Sequence, residues 1–170
     1  MPELQRLRAD HAPAVLAFER ANRAWFAASV SDRGDDYFQH FDEGFGVLLA
    51  ERDAGHGAFY VLVDDDGSVL GRFNLELAED GTATLGYRIA RRVAGRGVAT
   101  STVREVCALA SSQYGVRLVR AATSHQNLAS QRVLVKAGFV PGGPAGAADL
   151  GGKHGTWYEL ETRPDPLRGR

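Results

Sequence analysis

Apolar residues in this chain fall first at helical spacing, then in strand-like runs, then in strand–helix alternation. Leu4 to Leu7 predicts a short strand. Behind it, Val15, Phe18, Trp25 and Phe26 share one side of a helix, opened by Asp10 as cap and Pro13 in the first turn. Asn22 is the polar exception in that stripe, and Trp25 and Phe26 read first as core. Residues 29–36 are polar and break the pattern. Tyr37, Phe38, Phe41, Phe45, Leu48 and Leu49 predict a second amphipathic helix, weakened in its middle by Gly44 and Gly46. Phe59–Val63, Val69–Leu77 and Thr82–Ala90 predict three strands joined at Asp66-Gly67 and Asp80-Gly81, both hairpin-turn pairs. Ala99, Val103, Val106, Cys107, Ala110 and Tyr114 predict a third helix that Gly115 ends. Then follow a strand at Leu118–Thr123, a shorter helix from Asn127 to Gly138, and a strand at Phe139–Val140. A loose glycine- and alanine-rich loop covers Gly142–Gly152, and a last strand covers Trp157–Leu160.

These elements predict an α+β (mixed α/β) fold: a central, mixed but mostly antiparallel sheet of about seven strands flanked by four helices. The parallel part should lie between the strand before residue 95 and the strand after the helix that follows, because that crossover is a βαβ unit. A single domain is expected over 1–162, followed by a polar, fraying tail at 163–170. The chain has 170 residues, enough for one sizeable core, and a net charge of -1. No global basic field therefore draws it to nucleic acid or a membrane. The expectation is no nucleic acid, no membrane and a cytoplasmic location, with a homodimer left open. Cys107 is the only cysteine, so a disulfide within the chain and a multi-cysteine metal site are both excluded. Its place on the apolar stripe reads as a buried structural thiol. His11, His40, His56 and His154 are too scattered to argue a metal site, so none is expected.

The most informative stretch is Leu85–Ser101, which reads as a strand, a glycine turn rich in arginine, and the first turn of a helix. Arg88, Arg91, Arg92, Arg96 and Arg104 gather around Gly95 and Gly97, although the chain uses arginine nearly everywhere and lysine only at Lys136 and Lys153. Amides 96–100 would point outward at the positive end of a helix dipole and suit a phosphate or pyrophosphate, with hydroxyls from Thr100 and Ser101. A tight βα turn that uses glycine only for its geometry explains the same spacing. A Walker A loop is excluded, since no Gly-Lys-Ser/Thr follows. Antiparallel hairpins before the turn disfavour a dinucleotide fold. The second constellation is Asn127–Phe139. Asn127 caps a helix, Val133, Leu134 and Ala137 pack inward, and Gly138 ends it; Ser130, one turn in, is left without a structural reason.

The pair Arg92-x-x-Gly95-Arg96-Gly97-Val98-Ala99-Thr100 and Asn127-x-x-Ser130-x-x-Val133-Leu134-x-Lys136-x-Gly138-Phe139 resembles the GNAT acyl-CoA N-acyltransferase family. It is similar to the branch that acetylates the N-termini of ribosomal proteins. Phe18–Arg23 with Phe26, and Arg33–Phe38, resemble that branch as well. The resemblance spans about Leu4 to Leu160 and implies acetyl-CoA as donor. It implies that the amides of Arg96, Gly97, Val98, Ala99 and Thr100 hold the pyrophosphate, in a loop opened by Arg92 and Gly95. It also implies that Ile89, Ala90 and Arg91 flank the pantetheine arm, which enters where this strand splays from its parallel neighbour. Asn127 would contact that arm, and Ser130 would lie near the sulfur, able to protonate the leaving thiolate. Departures stand at Ala94, where many members carry Gln or Arg, at Leu134, where many carry a tyrosine acid, and at Thr84, near where many carry a glutamate base.

The chemistry implied is direct attack of a neutral amine on the thioester, with a backbone N–H between Tyr87 and Ala90 stabilising the oxyanion. Glu76, His125 and Tyr158 are candidate bases; an exposed strand carboxylate, a loop histidine and a core tyrosine are the plain alternatives. Arg23, Trp25, Asn74 and Glu76 are candidate acceptor contacts. The resulting expectation is an acetyl-CoA-dependent N-acetyltransferase acting on a primary amine at a protein or peptide N-terminus. The alternatives are a small-molecule amine acetyltransferase, a non-catalytic acyl-CoA-binding sensor and, from another class, a nucleotide-binding interaction module.

Overall fold

Strand and helix periods translate into the elements that form, with exceptions among the helices. The structure is a computed structural model that describes residues 1–162, so the tail expected at 163–170 lies outside the described residues. Seven strands are β1 (Glu3–Arg6), β2 (Gly57–Val63), β3 (Val69–Leu77), β4 (Thr82–Ile89), β5 (Leu118–Ser124), β6 (Val140–Ala145) and β7 (Gly155–Glu161). They form one sheet in the order β1-β2-β3-β4-β5-β7-β6. The β4–β5 pair is parallel, as the crossover argument requires, and β1–β2, β5–β7 and β6–β7 are antiparallel.

Six helices form among the described residues where four were expected: α1 (Ala12–Ala21), α2 (Arg23–Ala27), α3 (Asp35–Gln39), α4 (Phe41–Asp53), α5 (Val98–Tyr114) and α6 (Leu128–Lys136). Both early helices break in two. Asn22 divides the first, because its Nδ2 donates to the Phe18 carbonyl at 2.9 Å and its backbone leaves the helical basin at φ -107, ψ 8. His40 divides the second, with its Nδ1 3.1 Å from the Asp36 carbonyl and φ -111, ψ 29. Asp10 does not cap α1. It pairs with Arg8 at 3.0 Å, and a 3-10 turn, Ala9–His11, leads into the helix instead. The glycine-rich loop also begins later than expected, since β6 takes in Gly142–Ala145. This strand lies at the sheet edge, the position where prolines such as Pro141 and Pro144 are tolerated, and a bulge lies between Pro141 and Gly143.

The chain divides into two compact units: Met1–Asn74 with Tyr87–Ala94, and Leu75–Gly86 with the described chain from Gly95. The first packs Leu7, Val15, Phe18, Phe26, Phe41, Phe45, Phe59, Val61, Val69 and Ala90 into one apolar cluster. Trp25, expected in that core, is 40% exposed; Phe26 next to it is buried. The second unit buries one stripe of α5, Val103, Val106, Cys107 and Ala110, together with Val119 and Ala121 of β5 and Leu134 of α6. Gly115 caps α5 in the left-handed conformation, φ 64, as a helix end favours. No helix among the described residues is long and apolar enough to cross a membrane.

Candidate active site

In the second unit the parallel ladder joins only Thr82, Ala83 and Thr84 to Leu118, Val119 and Arg120. Both strands continue past that point, β5 paired to β7 along its full length, so the β4–β5 ladder ends at Thr84. The chain then turns into α5 through Gly95 and Gly97, with φ 76 and 78, values that glycine tolerates best. Gly97 is the N-cap and carries no side chain to satisfy the helix start. The first amide of α5 to find an acceptor is that of Ser101, on the Gly97 carbonyl at 3.1 Å. The amides of Arg96, Gly97, Val98, Ala99 and Thr100 have no hydrogen-bond partner among the described residues. A row of unpaired N–H groups at the positive end of a 17-residue helix carries partial positive charge that favours an anion. The hydroxyls of Ser101 and Thr102 are turned back onto the Val98 carbonyl, at 3.1 and 2.8 Å.

The arginines expected to gather there mostly serve elsewhere. Arg104 donates to the Lys136 carbonyl at 2.5 Å, tying α5 to α6. Arg92 reaches Ser68 Oγ at 2.8 Å and Asp64 at 3.5 Å. Arg91 stacks over Trp25, 5.6 Å from the ring centroid. Arg96 alone of the five has an exposed side chain with no hydrogen bond, ion pair or ring contact among the described residues.

At the end of β5, Asn127 caps α6: its Oδ1 accepts from the Ser130 amide at 3.2 Å. Ser130 lies half-buried one turn in. Gln131 Nε2, which no motif spacing singles out, donates to the carbonyls of Ser124 and His125, at 3.0 and 3.2 Å, and so locks the strand end to the helix. His125 is exposed and its amide bonds to the His154 carbonyl. Leu134 is completely buried and belongs to the packing of α6. Tyr158 is buried on β7, Glu76 is exposed on β3 and Thr84 is half-buried on β4. Burial pushes the Cys107 thiol up to about 12, so it stays protonated and inert at neutral pH. No group of metal-ligating side chains occurs among the described residues.

In the first unit, the Ala90 amide is bound to the Leu70 carbonyl at 2.7 Å and the Arg91 amide to Asn22 Oδ1 at 3.0 Å. Asn22 thus ties the α1–α2 break to the end of β4. Arg23 is clamped between Asp32 and Asp35, at 2.8 and 2.9 Å, and lies over the Phe38 ring. Asn74 is half-buried on β3. Absent from the candidates above are Glu19, 1% exposed, and Arg72, 4% exposed, which are joined at 2.9 Å. Two signals were available: Glu19 falls one turn after Val15 on the apolar face of α1, and Arg72 interrupts the otherwise apolar start of β3.

The Acetyltransferase (GNAT) domain family model matches residues 3–140. The chain belongs to the GNAT acetyltransferase family. It is an acyltransferase of that family. No curated protein matches it in sequence. Its fold is similar to that of ribosomal-protein-S5-alanine acetyltransferase from Vibrio fischeri, with TM-score 0.85, 16% identity, and 94% of this chain covering 92% of that one. Mycobacterium smegmatis RimJ, solved with CoA-disulfide, gives TM-score 0.82 at 19% identity, with coverage of 94% and 81%. An acetyltransferase from Salmonella typhimurium that modifies the N-terminal serine of ribosomal protein L7/L12 gives 0.82 at 17% identity, with 95% of each chain covered.

Proposed function

We propose that this GNAT acetyltransferase moves an acetyl group from acetyl-CoA to a primary amine at the N-terminus of a protein or peptide, in the cytoplasm. The observation that carries the donor side is the row of unpaired amides from Arg96 to Thr100, which fits the CoA pyrophosphate. Where the β4–β5 ladder ends after Thr84, the β5 backbone offers a pantetheine arm a strand edge to lie along. Asn127 and Ser130 follow β5 directly, at the start of α6. Structural relatives described as acting on ribosomal-protein alanine or serine, or solved with CoA, support acetyl-CoA and a peptide acceptor.

The neutral amine attacks the thioester carbonyl and an oxyanion forms. An amide of β4 before Ala90 stabilises it, since the Ala90 amide is already engaged. The tetrahedral intermediate collapses with loss of CoA thiolate; the Ser130 hydroxyl passes it a proton and regains one from the water that carries the proton lost by the amine, so Ser130 ends unchanged. Glu76 and His125, both exposed, are the groups we assign to receive the amine proton directly or through water. A thiol-release assay with acetyl-CoA and a panel of peptides and small amines tests this reading. Release with peptides is the expected result. CoA binding without release on any acceptor would refute it and favour a sensor.

A further inference from the structure

Glu19 sits buried on α1, and three guanidinium groups converge on it. Arg72 Nη1 donates to Oε1 at 2.9 Å and to the Tyr37 hydroxyl at 3.1 Å, so its position is well determined. Arg33 Nε donates to Oε2 at 3.1 Å. Arg88 Nη1 lies 3.6 Å from the same oxygen, too long for a hydrogen bond, and the Arg88 side chain makes none among the described residues. Three positive charges therefore face one negative charge, and the surplus rests on Arg33 and Arg88. Their side chains keep 28% and 18% exposure. Each is backed by an aromatic face: Arg33 lies 4.7 Å from the Tyr37 centroid, Arg88 5.0 Å from that of Phe26. Burial, together with repulsion from Arg33 and Arg72, pushes Arg88 below the ordinary arginine value. A partly buried cation held this way is costly until an anion pairs with it. Paired guanidinium forks match a carboxylate in shape as well as charge.

We propose that Arg33 and Arg88 form a carboxylate subsite for the acceptor, so that the preferred amine belongs to a molecule with an acidic group near it. The inference rests on the acetyl-transfer reading: Arg88 adjoins Tyr87 and Ile89 on β4, the strand that reading sets beside the thioester. The carboxylate comes either from an acidic side chain next to a peptide N-terminus or from the α-carboxylate of a free amino acid.

The test is calorimetric binding to the full chain saturated with CoA. The probes are the amidated peptide Ala-Asp-Ala-Ala, its Asn counterpart, free aspartate and ethylamine. The Asp peptide should bind at least about tenfold more tightly than the Asn peptide, and about 1.4 kcal/mol corresponds to that factor. Arg88→Gln and, separately, Arg33→Gln should erase the preference, with CoA affinity reporting that each variant is folded. Free aspartate binding as well as the Asp peptide assigns the carboxylate to an amino acid; tighter binding of the peptide assigns it to a side chain. Equal affinity for the Asp and Asn peptides, or a preference that survives both substitutions, overturns the subsite. Thiol release from both peptides without preference overturns the subsite and leaves the acetyl-transfer reading standing. A preference in binding with no thiol release from any acceptor does the reverse.

Discussion

At the scale of single residues, Ser130 carries the sharpest expectation. Its amide is the hydrogen-bond donor to Asn127, so Ser130→Ala keeps the cap and removes only the hydroxyl. Turnover should fall by roughly 100-fold, the low end for loss of a general acid, with little change in CoA affinity. An unaltered rate in the thiol-release assay would exclude the acid role. Asn127 does two jobs in the proposed site, which makes it a poorer probe. Asn127→Ala should lose about 1 kcal/mol of stability with the cap, so any fall in rate has to be read against a lowered Tm. The cap and Ser130 were both legible in the Asn127-x-x-Ser130 spacing, because capping is a contact between near neighbours in the chain. Gln131 was not, since its two carbonyl partners depend on how β5 enters α6.

Elements bring the backbone into play. Gly97 opens α5 in the left-handed region, and a Cβ there would meet nothing within 4 Å. Gly97→Val therefore strains the turn without a clash, at about 1–2 kcal/mol, and re-aims the amides that follow. CoA binding should be lost while circular dichroism stays native; unchanged affinity would remove the donor site from this turn. In the first unit, His11 closes the β1–α1 connection. Its Nδ1 accepts from the Arg8 amide at 2.9 Å, and Nε2–H donates to Gln5 Oε1 at 3.0 Å, which requires a neutral ring. Burial, and secondarily the Arg8 charge, hold its pKa below the ordinary 6.5. A lowered folded-state value means stability that is present above 6.5 and lost as pH falls below it. Melting between about pH 7.5 and pH 5 should show that loss in the native chain and a flatter profile in His11→Gln. The hairpin turns were read directly from Asp66-Gly67 and Asp80-Gly81, where Gly67 and Gly81 both have φ 85. The helix breaks at Asn22 and His40 were not. Each depends on a polar side chain turning back onto the carbonyl four residues earlier, and periodicity carries no record of that choice.

On the scale of the whole molecule, the deciding feature is the buried ion cluster. Glu19→Gln would leave Arg72, nearly fully buried, and two further guanidinium groups without their shared carboxylate. The expected cost is about 3–5 kcal/mol, a large share of the stability of an ordinary domain. Chemical denaturation would measure it, and a loss below 1 kcal/mol, on the order of an exposed pair, would show that the cluster is not what organises the first unit. The amino-acid order by itself determined the element types, the hairpin turns, the glycine start of α5 and the Asn127 cap. Each of these follows from sterics and hydrogen bonds between residues a few positions apart. It also carried the family motifs, since a backbone cradle needs only glycine and a helix in succession. Tertiary structure alone decided where the arginines went. Arg72 meets Glu19 across 53 positions and the Arg91 amide meets Asn22 across 69, pairings no local period encodes. What turned an apparent cluster of arginines around a glycine loop into scattered structural ties was chain folding, which pairs a buried charge with whatever opposite group the packed elements bring within reach.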